Sequence, residues 1–349
     1  MRSFNVGNLK ISDDSPPFVI AEIGHNHQGS LDSAIKLIRA AANSGVSAVK
    51  LQKRSNKDLY TEEAYNAPYN SENAFGPTYG LHREALEFGK SEFEICKTEA
   101  LNLGILFFST AFDRPSVDFL MEVDVPVFKV ASGDLLNFPL LEYIASTGKP
   151  MIVSTGGATI EDVKFAYSFL RDIRANFSLL QCTASYPPQY EELNLRVIET
   201  YRSEFPQSVI GYSGHDSGIA MALIAYILGA RIIEKHFTLD RSLKGTDHAF
   251  SLEPLGMKKL IRDLHRARLA LGDGVKQKYE SESAPIRKMG KMIIAKNKIM
   301  IGEIVSLEDL EFRSPADGLS PSNVLQIIGK RSKVQIEKGT PIKLDFFGS

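Results

Sequence analysis

Short apolar runs alternate with amphipathic segments along most of this chain. Each run spans a few residues and is bounded by polar residues or glycine, a pattern typical of buried strands in a parallel sheet. The eight predicted strands cover Phe18–Ile23, Ala48–Gln52, Ile105–Thr110, Val127–Ala131, Met151–Ser154, Ser178–Thr183, Val209–Tyr212 and Ile232–Phe237.

A segment with helical spacing of apolar positions follows each of these strands. The predicted helices cover Leu31–Ser44, Leu81–Leu103, Pro115–Val123, Pro139–Thr147, Ile160–Asp172, Asn194–Glu204, Ser217–Leu228 and Pro254–Leu271. Eight consecutive strand–helix units predict an α/β protein with a closed (β/α)8 TIM barrel. A doubly wound open sheet is the alternative, and the regularity of the units favours closure.

The alternation ends at Gly272. We predict a catalytic barrel domain over residues 1–272, a polar linker over 273–284 and a small domain over 285–349. Short apolar runs separated by turns indicate that the small domain is mixed α/β or mostly β. One long loop, Lys53–Gly80, interrupts the barrel after its second strand, and loops of such length are usually functional or mobile.

Polar residues recur where the barrel strands should end, the face on which TIM-barrel enzymes carry their active sites. Two histidines give the strongest signal, because His215 follows the seventh strand and His236 ends the eighth. Imidazoles on neighbouring strand ends can converge on one divalent metal and leave positions open for substrate. Two hydrogen-bonded core histidines are the structural alternative on spacing alone.

The other strand ends supply charged, amide and hydroxyl side chains. They are Glu22, Lys50, Gln52, Lys129, Ser132, Asp134, Ser154, Ser185, Tyr186 and Ser213. A barrel interior tolerates so many polar groups only if they meet ligands or one another. Two lysines and several hydroxyls suit a phosphorylated anion, and histidines with carboxylates suit a divalent metal. Internal salt bridges from Lys50 to Glu22 and from Lys129 to Asp134 are the structural alternative.

Composition narrows the class of protein further. The chain has 349 residues, of which 43% are hydrophobic and 24% charged, with a formal net charge of −1. These values are ordinary for a soluble globular protein and predict neither nucleic-acid nor membrane binding. Two cysteines, Cys96 and Cys182, cannot form a disulfide framework, and the N-terminus lacks the apolar core of a signal peptide. We therefore expect a cytoplasmic protein.

The strand-end motifs resemble those of the sialic acid synthase family. They are AEIGHNHQG at 21–29, VKLQ at 49–52, FKVASGD at 128–134, GYSGH at 211–215, EKHFTLD at 234–240 and GTDHAFSLEP at 245–254. The resemblance runs in order from about residue 17 to the C-terminus, and the tail resembles the antifreeze-like (SAF) domain of these enzymes. The loop at 67–82 resembles the vertebrate-type branch, which uses a 6-phosphate sugar.

This resemblance implies an activity. The family condenses phosphoenolpyruvate with N-acetylmannosamine, or its 6-phosphate, and water to give N-acetylneuraminate, or its 9-phosphate, and inorganic phosphate. Relatives on the scaffold make legionaminate, pseudaminate or deaminated sialic acid from other sugars. The implied cofactor is Mn²⁺ or Mg²⁺, and the implied assembly is a homodimer with exchanged C-terminal domains.

The resemblance also implies roles for individual residues. The metal would be held by His215 and His236, and Glu22 and Asp134 would stabilise positive charge on the substrate. The other implied contacts are Lys50, Lys129, Ser132, Ser154 and Ser213 to phosphoenolpyruvate, Gln52, Tyr186 and Asp247 to the sugar hydroxyls, and Arg313, from the partner subunit, to the N-acyl group.

Two departures from the family pattern affect these implied contacts. Ala184, with Ser185 next, stands where the family often has a serine or asparagine that contacts phosphate, and Ser314-Pro315 follows Arg313 in place of Pro-Gly.

Two other classes of protein compete with this interpretation. One is a different metal-dependent barrel enzyme, such as another phosphoenolpyruvate aldol synthase or a class II aldolase, which would lack the antifreeze-like tail. The other is a non-catalytic carbohydrate-binding protein on a decayed barrel. Against that, every catalytic-face position identified above except Ala184 carries chemically competent residues.

Overall fold

The computed structural model describes residues 2–348, which form two compact units divided after Gly272. The first unit is built around a closed barrel of eight parallel strands, in which the last strand pairs with the first. A two-stranded hairpin precedes the barrel, β1 (Ser3–Val6) and β2 (Leu9–Ser12). The barrel strands are β3 (Phe18–Gly24), β4 (Ala48–Lys53), β5 (Leu106–Ala111), β6 (Phe128–Val130), β7 (Met151–Ser154), β8 (Phe177–Cys182), β9 (Ile210–Gly214) and β10 (Ile232–His236). The predicted (β/α)8 barrel is confirmed, and the open sheet is excluded.

Helices connect the strands on the outside of the barrel. In chain order they are α1 (Leu31–Ser44), α2 (Asn56–Leu59), α3 (Glu62–Asn66), α4 (Tyr79–Glu84), α5 (Lys90–Asn102), α6 (Arg114–Val123), α7 (Phe138–Ser146), α8 (Ile160–Asp172), α9 (Val197–Glu204), α10 (Ala220–Ile227) and α11 (Pro254–Leu271). None of the helices in residues 2–348 combines the length and the apolar character that crossing a bilayer requires.

The barrel interior follows from the apolar runs. Every residue of β3 is buried, as expected for a parallel strand covered on both faces. The first helix is bounded by local signals: the Ser30 hydroxyl accepts from the Ser33 amide at its start, and Gly45 ends it with a φ of 92°. Such caps fix where the helix begins and ends, and so where the following strand enters the sheet.

One predicted helix is wrong. The segment 81–103 is two helices, α4 and α5, because Gly89 adopts an extended conformation and starts α5. Leu86 and Phe88 in the connection are buried, so their apolar spacing continues the helical pattern without a helix. The long loop before them is also structured, since it contains α2, α3 and a bridge between Pro68 and Thr78.

The N-terminal hairpin was not predicted from the sequence. Phe4, Val6 and Ile11 join the barrel core and are almost fully buried. The Asn176 amide, just before β8, donates to the backbone carbonyl of Asn5. The Arg231 guanidinium, just before β10, donates to the carbonyl of Asp13. The hairpin therefore covers the amino ends of the barrel strands.

The second unit has its own small core. After helix α12 (Ser283–Met289), the strands β11 (Met292–Ala295) and β12 (Leu310–Arg313) pair antiparallel. Its buried apolar side chains are Ile293, Ala295, Ile299, Val305, Leu310, Ile327, Ile336, Ile342 and Phe347. Most of the remaining chain in this unit forms turns and short 3-10 helices, which agrees with the expected alternation of short runs and turns.

Candidate active site

A cavity of about 420 Å³ lies at the carboxyl ends of the barrel strands. Eleven of the residues predicted from the sequence line it: Glu22, Lys50, Gln52, Lys129, Ser132, Ser154, Tyr186, Ser213, His215, His236 and Asp247. They come from strands that are far apart in sequence, and closure of the barrel brings them together.

A buried ion cluster forms one side of the cavity. The Lys50 ammonium lies 2.7 Å from Glu22 Oε2 and 3.7 Å from Glu234 Oε1, and donates to the Thr110 hydroxyl at 2.8 Å. The predicted alternative for Lys50, an internal salt bridge with Glu22, is thus present. Since Lys50 also faces the cavity, the ion pair leaves it within reach of a ligand.

The two carboxylates of this cluster differ in proton affinity. Burial raises the pKa of Glu22 to about 6, with Lys50 opposing and Glu234 adding to the rise. For Glu234, burial also favours the neutral form, but Lys50 and Lys129 hold its pKa below the ordinary value. Glu234 therefore stays charged while Glu22 is the carboxylate that gains a proton first.

Lys129 has no such partner. Its ammonium donates to the Ser154 hydroxyl at 2.6 Å and to the Val130 carbonyl at 2.7 Å, and burial lowers its pKa. Among residues 2–348 no carboxylate oxygen forms an ion pair with it, so the expected alternative, a salt bridge to Asp134, is absent. A buried cation surrounded by neutral oxygens is suited to an anionic ligand.

The two histidines meet across the cavity, with ring centroids 5.3 Å apart. His215 Nδ1 lies 2.9 Å from the Thr183 carbonyl, which only accepts, so Nδ1 carries the proton and Nε2 keeps a free lone pair. Burial lowers the pKa of His215 to about 3, assisted by His236, and burial also lowers the pKa of His236. Both rings are therefore neutral at pH 7, the form that binds metals.

The pair fits a metal with few protein ligands. In the part of the chain that the structure describes, His236 Nδ1 is buried without a hydrogen-bond partner, and Asp247 Oδ2 lies 3.7 Å from it. Within residues 2–348 no group of three or more histidine, cysteine, aspartate or glutamate side chains is arranged to hold a metal. A metal here would take its other ligands from substrate and water.

Aromatic side chains surround the two imidazoles. The ring centroid of Tyr186 lies 4.1 Å from that of His215, and Phe250 lies 4.9 Å from His236. Tyr186 is more than half exposed, which places it at the rim of the cavity. Burial and the nearby anionic groups raise the pKa of its hydroxyl, so Tyr186 offers a neutral hydroxyl to a ligand.

Three predicted site residues are not brought into this cavity. Asp134 lies in a 3-10 turn after β6, where its carboxylate accepts from the Asn137 amide at 3.0 Å. The hydroxyl of Ser185 donates to the Pro187 carbonyl, and Ala184 lines the cavity instead. Arg313 belongs to the second unit, where it is exposed and lies 2.6 Å from Glu311.

Sequence reasoning missed Glu234 and two arginines. Glu234 precedes His236 by two residues in β10, so alternation along the strand puts both side chains on the inner face. Arg54 extends the same alternation from Lys50 through Gln52, a signal that was available in the sequence. The other arginine, Arg83, enters the cavity from α4, and strand-end reasoning offers no signal for it.

Comparison with known proteins identifies the family of this chain. The model of the NeuB family matches residues 37–276, which is most of the chain. The chain belongs to the NeuB family. A SAF domain matches residues 290–347, so both the resemblance to sialic acid synthases and the antifreeze-like character of the tail are confirmed.

Similar proteins are named as synthases of N-acetylneuraminic or legionaminic acids or their phosphates. The chain is 40% identical over 333 residues to N-acetylneuraminate-9-phosphate synthase of Homo sapiens, covering 95% of this chain and 93% of that protein. It is 36% identical over 334 residues to N,N'-diacetyllegionaminic acid synthase of Legionella pneumophila, with 93% of each chain covered. Among solved structures, the N-acetylneuraminic acid synthetase of Leptospira borgpetersenii superposes with a TM-score of 0.69 at 38% identity, over 82% of this chain and 95% of that one.

Proposed function

We propose that this protein is a sialic acid synthase that condenses phosphoenolpyruvate with N-acetylmannosamine, or its 6-phosphate, and water. The products are N-acetylneuraminate, or its 9-phosphate, and inorganic phosphate. The observation that carries the proposal is the meeting of an unpaired buried cation, Lys129, with two neutral imidazoles in one cavity. Membership of the NeuB family and the names of its relatives support the same activity.

In this proposal Lys129 and the surrounding hydroxyls bind phosphoenolpyruvate. Lys129 donates to its carboxylate or phosphate together with Ser154, and the Ser132 and Ser213 hydroxyls lie on the same cavity wall. Charge-assisted hydrogen bonds in a water-poor cavity are strong enough to hold a small polyanion. The Ala184 methyl group cannot donate, so this part of the anion site depends on the other donors.

The acceptor sugar binds above the two imidazoles. His215 and His236 would hold Mn²⁺ or Mg²⁺, and the bound metal supplies Lewis-acid polarisation of the sugar aldehyde oxygen. Gln52, Tyr186 and Asp247 orient the sugar through its hydroxyl groups. Holding the two substrates in contact makes the carbon–carbon bond formation effectively unimolecular.

The reaction then proceeds by attack of carbon 3 of phosphoenolpyruvate on the aldehyde carbon. Positive charge develops at carbon 2, and the carboxylates of Glu22 and Glu234 stabilise it; Glu234 thus replaces the predicted Asp134 in this role. Water adds at carbon 2, and one of its protons passes by way of Glu22 to the former aldehyde oxygen, which becomes the new hydroxyl. The other proton leaves with the phosphate as the bond between carbon 2 and the phosphate oxygen breaks and carbon 2 becomes the ketone. Lys50 keeps both carboxylates charged during binding.

A phosphate-release assay tests the proposal. Purified protein with Mn²⁺ should release inorganic phosphate from phosphoenolpyruvate only when N-acetylmannosamine or its 6-phosphate is present, and removal of metal by a chelator should stop the release. His215→Ala and His236→Ala should abolish it, whereas His265→Ala, on the exposed face of α11, should not. Phosphate release without sugar, or none with any N-acylated hexosamine, would refute the proposal.

A second candidate is a synthase of a related nonulosonic acid. The 36% identity to the Legionella legionaminic acid synthase favours it specifically, and the same assay with the legionaminate precursor discriminates between the two. Both versions include a cytoplasmic homodimer with exchanged C-terminal domains, in which Arg313 reads the N-acyl group in the partner subunit.

A further inference from the structure

Two arginines at the cavity have no carboxylate partner among the residues that the structure describes. Arg54 is buried and Arg83 is half-buried, and both line the cavity. The acids close to them are engaged elsewhere: Glu87 lies 3.0 Å from Lys53 and 3.6 Å from His25, and Asp247 lies 3.7 Å from His236. Within residues 2–348, neither guanidinium takes part in an ion pair.

The partners of the two guanidinium groups are neutral. Arg54 donates to Gln52 Oε1 at 2.7 Å and lies 3.3 Å from His25 Nε2, with its face 3.8 Å from the centroid of the Phe112 ring. Burial, assisted by Arg54, holds the pKa of His25 well below its ordinary value, so the ring accepts without adding charge. Arg83 donates through Nε and Nη2 to the Tyr79 hydroxyl, at 3.1 and 2.9 Å.

The two cations are also close enough to disfavour one another. After burial, the charge of Arg83 is the largest influence that lowers the pKa of Arg54. Two like charges that line one cavity, neither of them in an ion pair, repel each other, and an anionic ligand that meets both relieves the repulsion. A phosphate monoester, with about two negative charges and three acceptor oxygens, offsets both at once, and arginine is the side chain best matched to its geometry.

This pair lies away from the lysines that the proposed function assigns to phosphoenolpyruvate. Lys50, Gln52 and Arg54 alternate along the same strand and its continuation, so they occupy successive levels from the interior toward the mouth. Glu22 and Gln52 lie between the two head groups: Lys50 contacts Glu22 Oε2 at 2.7 Å, and Gln52 Nε2 donates to Glu22 Oε1 at 2.7 Å. Since Arg54 donates to the far oxygen of Gln52, it meets a ligand at a different part of the cavity from Lys50.

The segment that carries Arg83 is held in place by its own packing. A side chain at Gly80 would overlap the Tyr65 ring, since a Cβ there would lie 2.4 Å from it. Tyr79 packs edge-on against Tyr60 and Tyr69, with ring centroids 5.1 and 5.5 Å apart. The Arg83 guanidinium is therefore fixed by α4 before any ligand arrives, as a specificity contact requires.

We propose that Arg54 and Arg83 form an anion subsite at the mouth of the barrel that binds the phosphate group of a phosphorylated acceptor sugar. The inference rests on the proposed function and deepens it: these two residues, which belong to no strand-end motif, set the preference between N-acetylmannosamine 6-phosphate and the free sugar. The phosphoenolpyruvate phosphate is the other possible source of the same chemistry, and the experiment separates the two.

The test compares Arg83→Gln with the wild-type protein in steady-state kinetics on both sugars. We expect kcat/KM for the 6-phosphate to fall at least tenfold, while kcat/KM for N-acetylmannosamine and the KM of phosphoenolpyruvate change less than twofold. Arg83→Lys, which keeps the charge, should recover part of the loss. Lys57→Gln is the matched control, because it removes one positive charge from an exposed side chain of α2 that does not line the cavity.

Equal losses on the two sugars would overturn the subsite, and a rise mainly in the phosphoenolpyruvate KM would assign the arginines to that substrate instead.

Calorimetric titration of wild-type protein with each sugar needs neither turnover nor a folded variant. At least tenfold tighter binding of the phosphorylated sugar is expected, and equal affinities would overturn the inference. Absence of phosphate release from the wild-type protein with either sugar would refute the proposed function, while the titration still decides the subsite.

Discussion

Within the described residues Lys129 donates only to neutral oxygens, those of Ser154 and Val130, although it is almost completely buried. A charge-assisted contact of a buried lysine with an anion is worth about 1.5–3 kcal/mol. We therefore predict that Lys129→Met, which keeps the approximate volume of the side chain, raises the KM of phosphoenolpyruvate by roughly tenfold or more. The KM of the sugar should change less. Lys164→Met, on the outer helix α8, is the control, and a larger effect on the sugar would contradict the assignment.

His27 differs from the cavity histidines because both of its nitrogens are satisfied in the neutral form. Its Nδ1 accepts from the Gly29 amide at 3.1 Å, the ring makes a further hydrogen bond to the Gly24 backbone, and it stacks on Phe88 with centroids 4.0 Å apart. Burial, with the charge of His25 next, lowers the pKa of His27 to about 3. This histidine therefore has a structural role.

The low pKa predicts how stability depends on pH. Below about pH 6.5 the unfolded chain protonates this imidazole, whereas the folded protein does so only near pH 3, so stability falls as the pH falls through that window. At pH 5 the contribution of His27 to this loss is about 2 kcal/mol. His27→Gln should be less stable at pH 7 but lose about that much less between pH 7 and pH 5 in urea unfolding. An identical slope in the variant and wild type would contradict the interpretation, and His265→Gln is the control.

Residues on regular strands could be predicted from their position in the strand, whereas for those on irregular backbone the prediction was uneven: Ser132 and Asp247 line the cavity as expected, and Asp134 does not. Their position at the carboxyl ends of strands predicted that Lys50, Gln52 and Lys129 face the cavity, and all three line it. Asp134 follows a strand by only a few residues, yet a 3-10 turn directs its carboxylate to Asn137. Arg83 reaches the cavity through a folded loop, whose course depends on contacts between residues distant in sequence.

At the scale of elements, the packing of β9 between its neighbours leaves no room at Gly211. A Cβ there would lie 2.6 Å from the Ile232 carbonyl oxygen in β10 and 2.9 Å from Leu180 Cγ in β8. Backbone cannot move aside without disturbing the barrel, so Gly211→Ala should destabilise the protein by about 1–3 kcal/mol. Urea unfolding measures the change. Gly256→Ala in α11, where the nearest atom is 3.5 Å away, should be neutral or stabilising, and equal midpoints for the two variants would contradict the packing argument.

Most of the helices and strands could be predicted from the sequence. One hairpin was missed and one helix was predicted too long. Apolar runs predicted all eight barrel strands because parallel strands are buried on both faces. The N-terminal hairpin was not predicted because its two strands, Ser3–Val6 and Leu9–Ser12, are short. Each alternates polar with apolar residues over too few positions to be distinguished from a loop. Leu86 and Phe88 are buried at helical spacing although the chain between α4 and α5 is not helical. The sequence therefore predicted one long helix where the structure has two.

At the scale of the whole molecule, the division after Gly272 predicts that the barrel folds without the tail. A chain ending near residue 280 should retain cooperative unfolding and its helical spectrum but lose most synthase activity, because the proposed N-acyl contact of Arg313 is absent. Retention of full activity would remove the second unit from the proposed site.

The proposed exchange of tails between subunits makes a separate prediction. Arg313→Ala and His236→Ala proteins, each inactive or impaired alone, should recover activity when mixed under conditions that allow subunit exchange. Recovery occurs because a mixed dimer contains one site with both residues intact. Exchange demonstrated by labelled subunits without any recovery would indicate that each tail serves its own barrel.

The hairpin across the amino ends of the strands has a kinetic consequence. Asn5 and Asp13 bind groups at the base of β8 and β10, so substrates and products use the opposite end of the barrel. In the proposed function phosphoenolpyruvate binds near Lys129 and the sugar binds above it, so we expect phosphoenolpyruvate to bind first. Initial-rate measurements should follow a compulsory order, and an excess of acceptor sugar should inhibit by occupying the entrance ahead of its co-substrate.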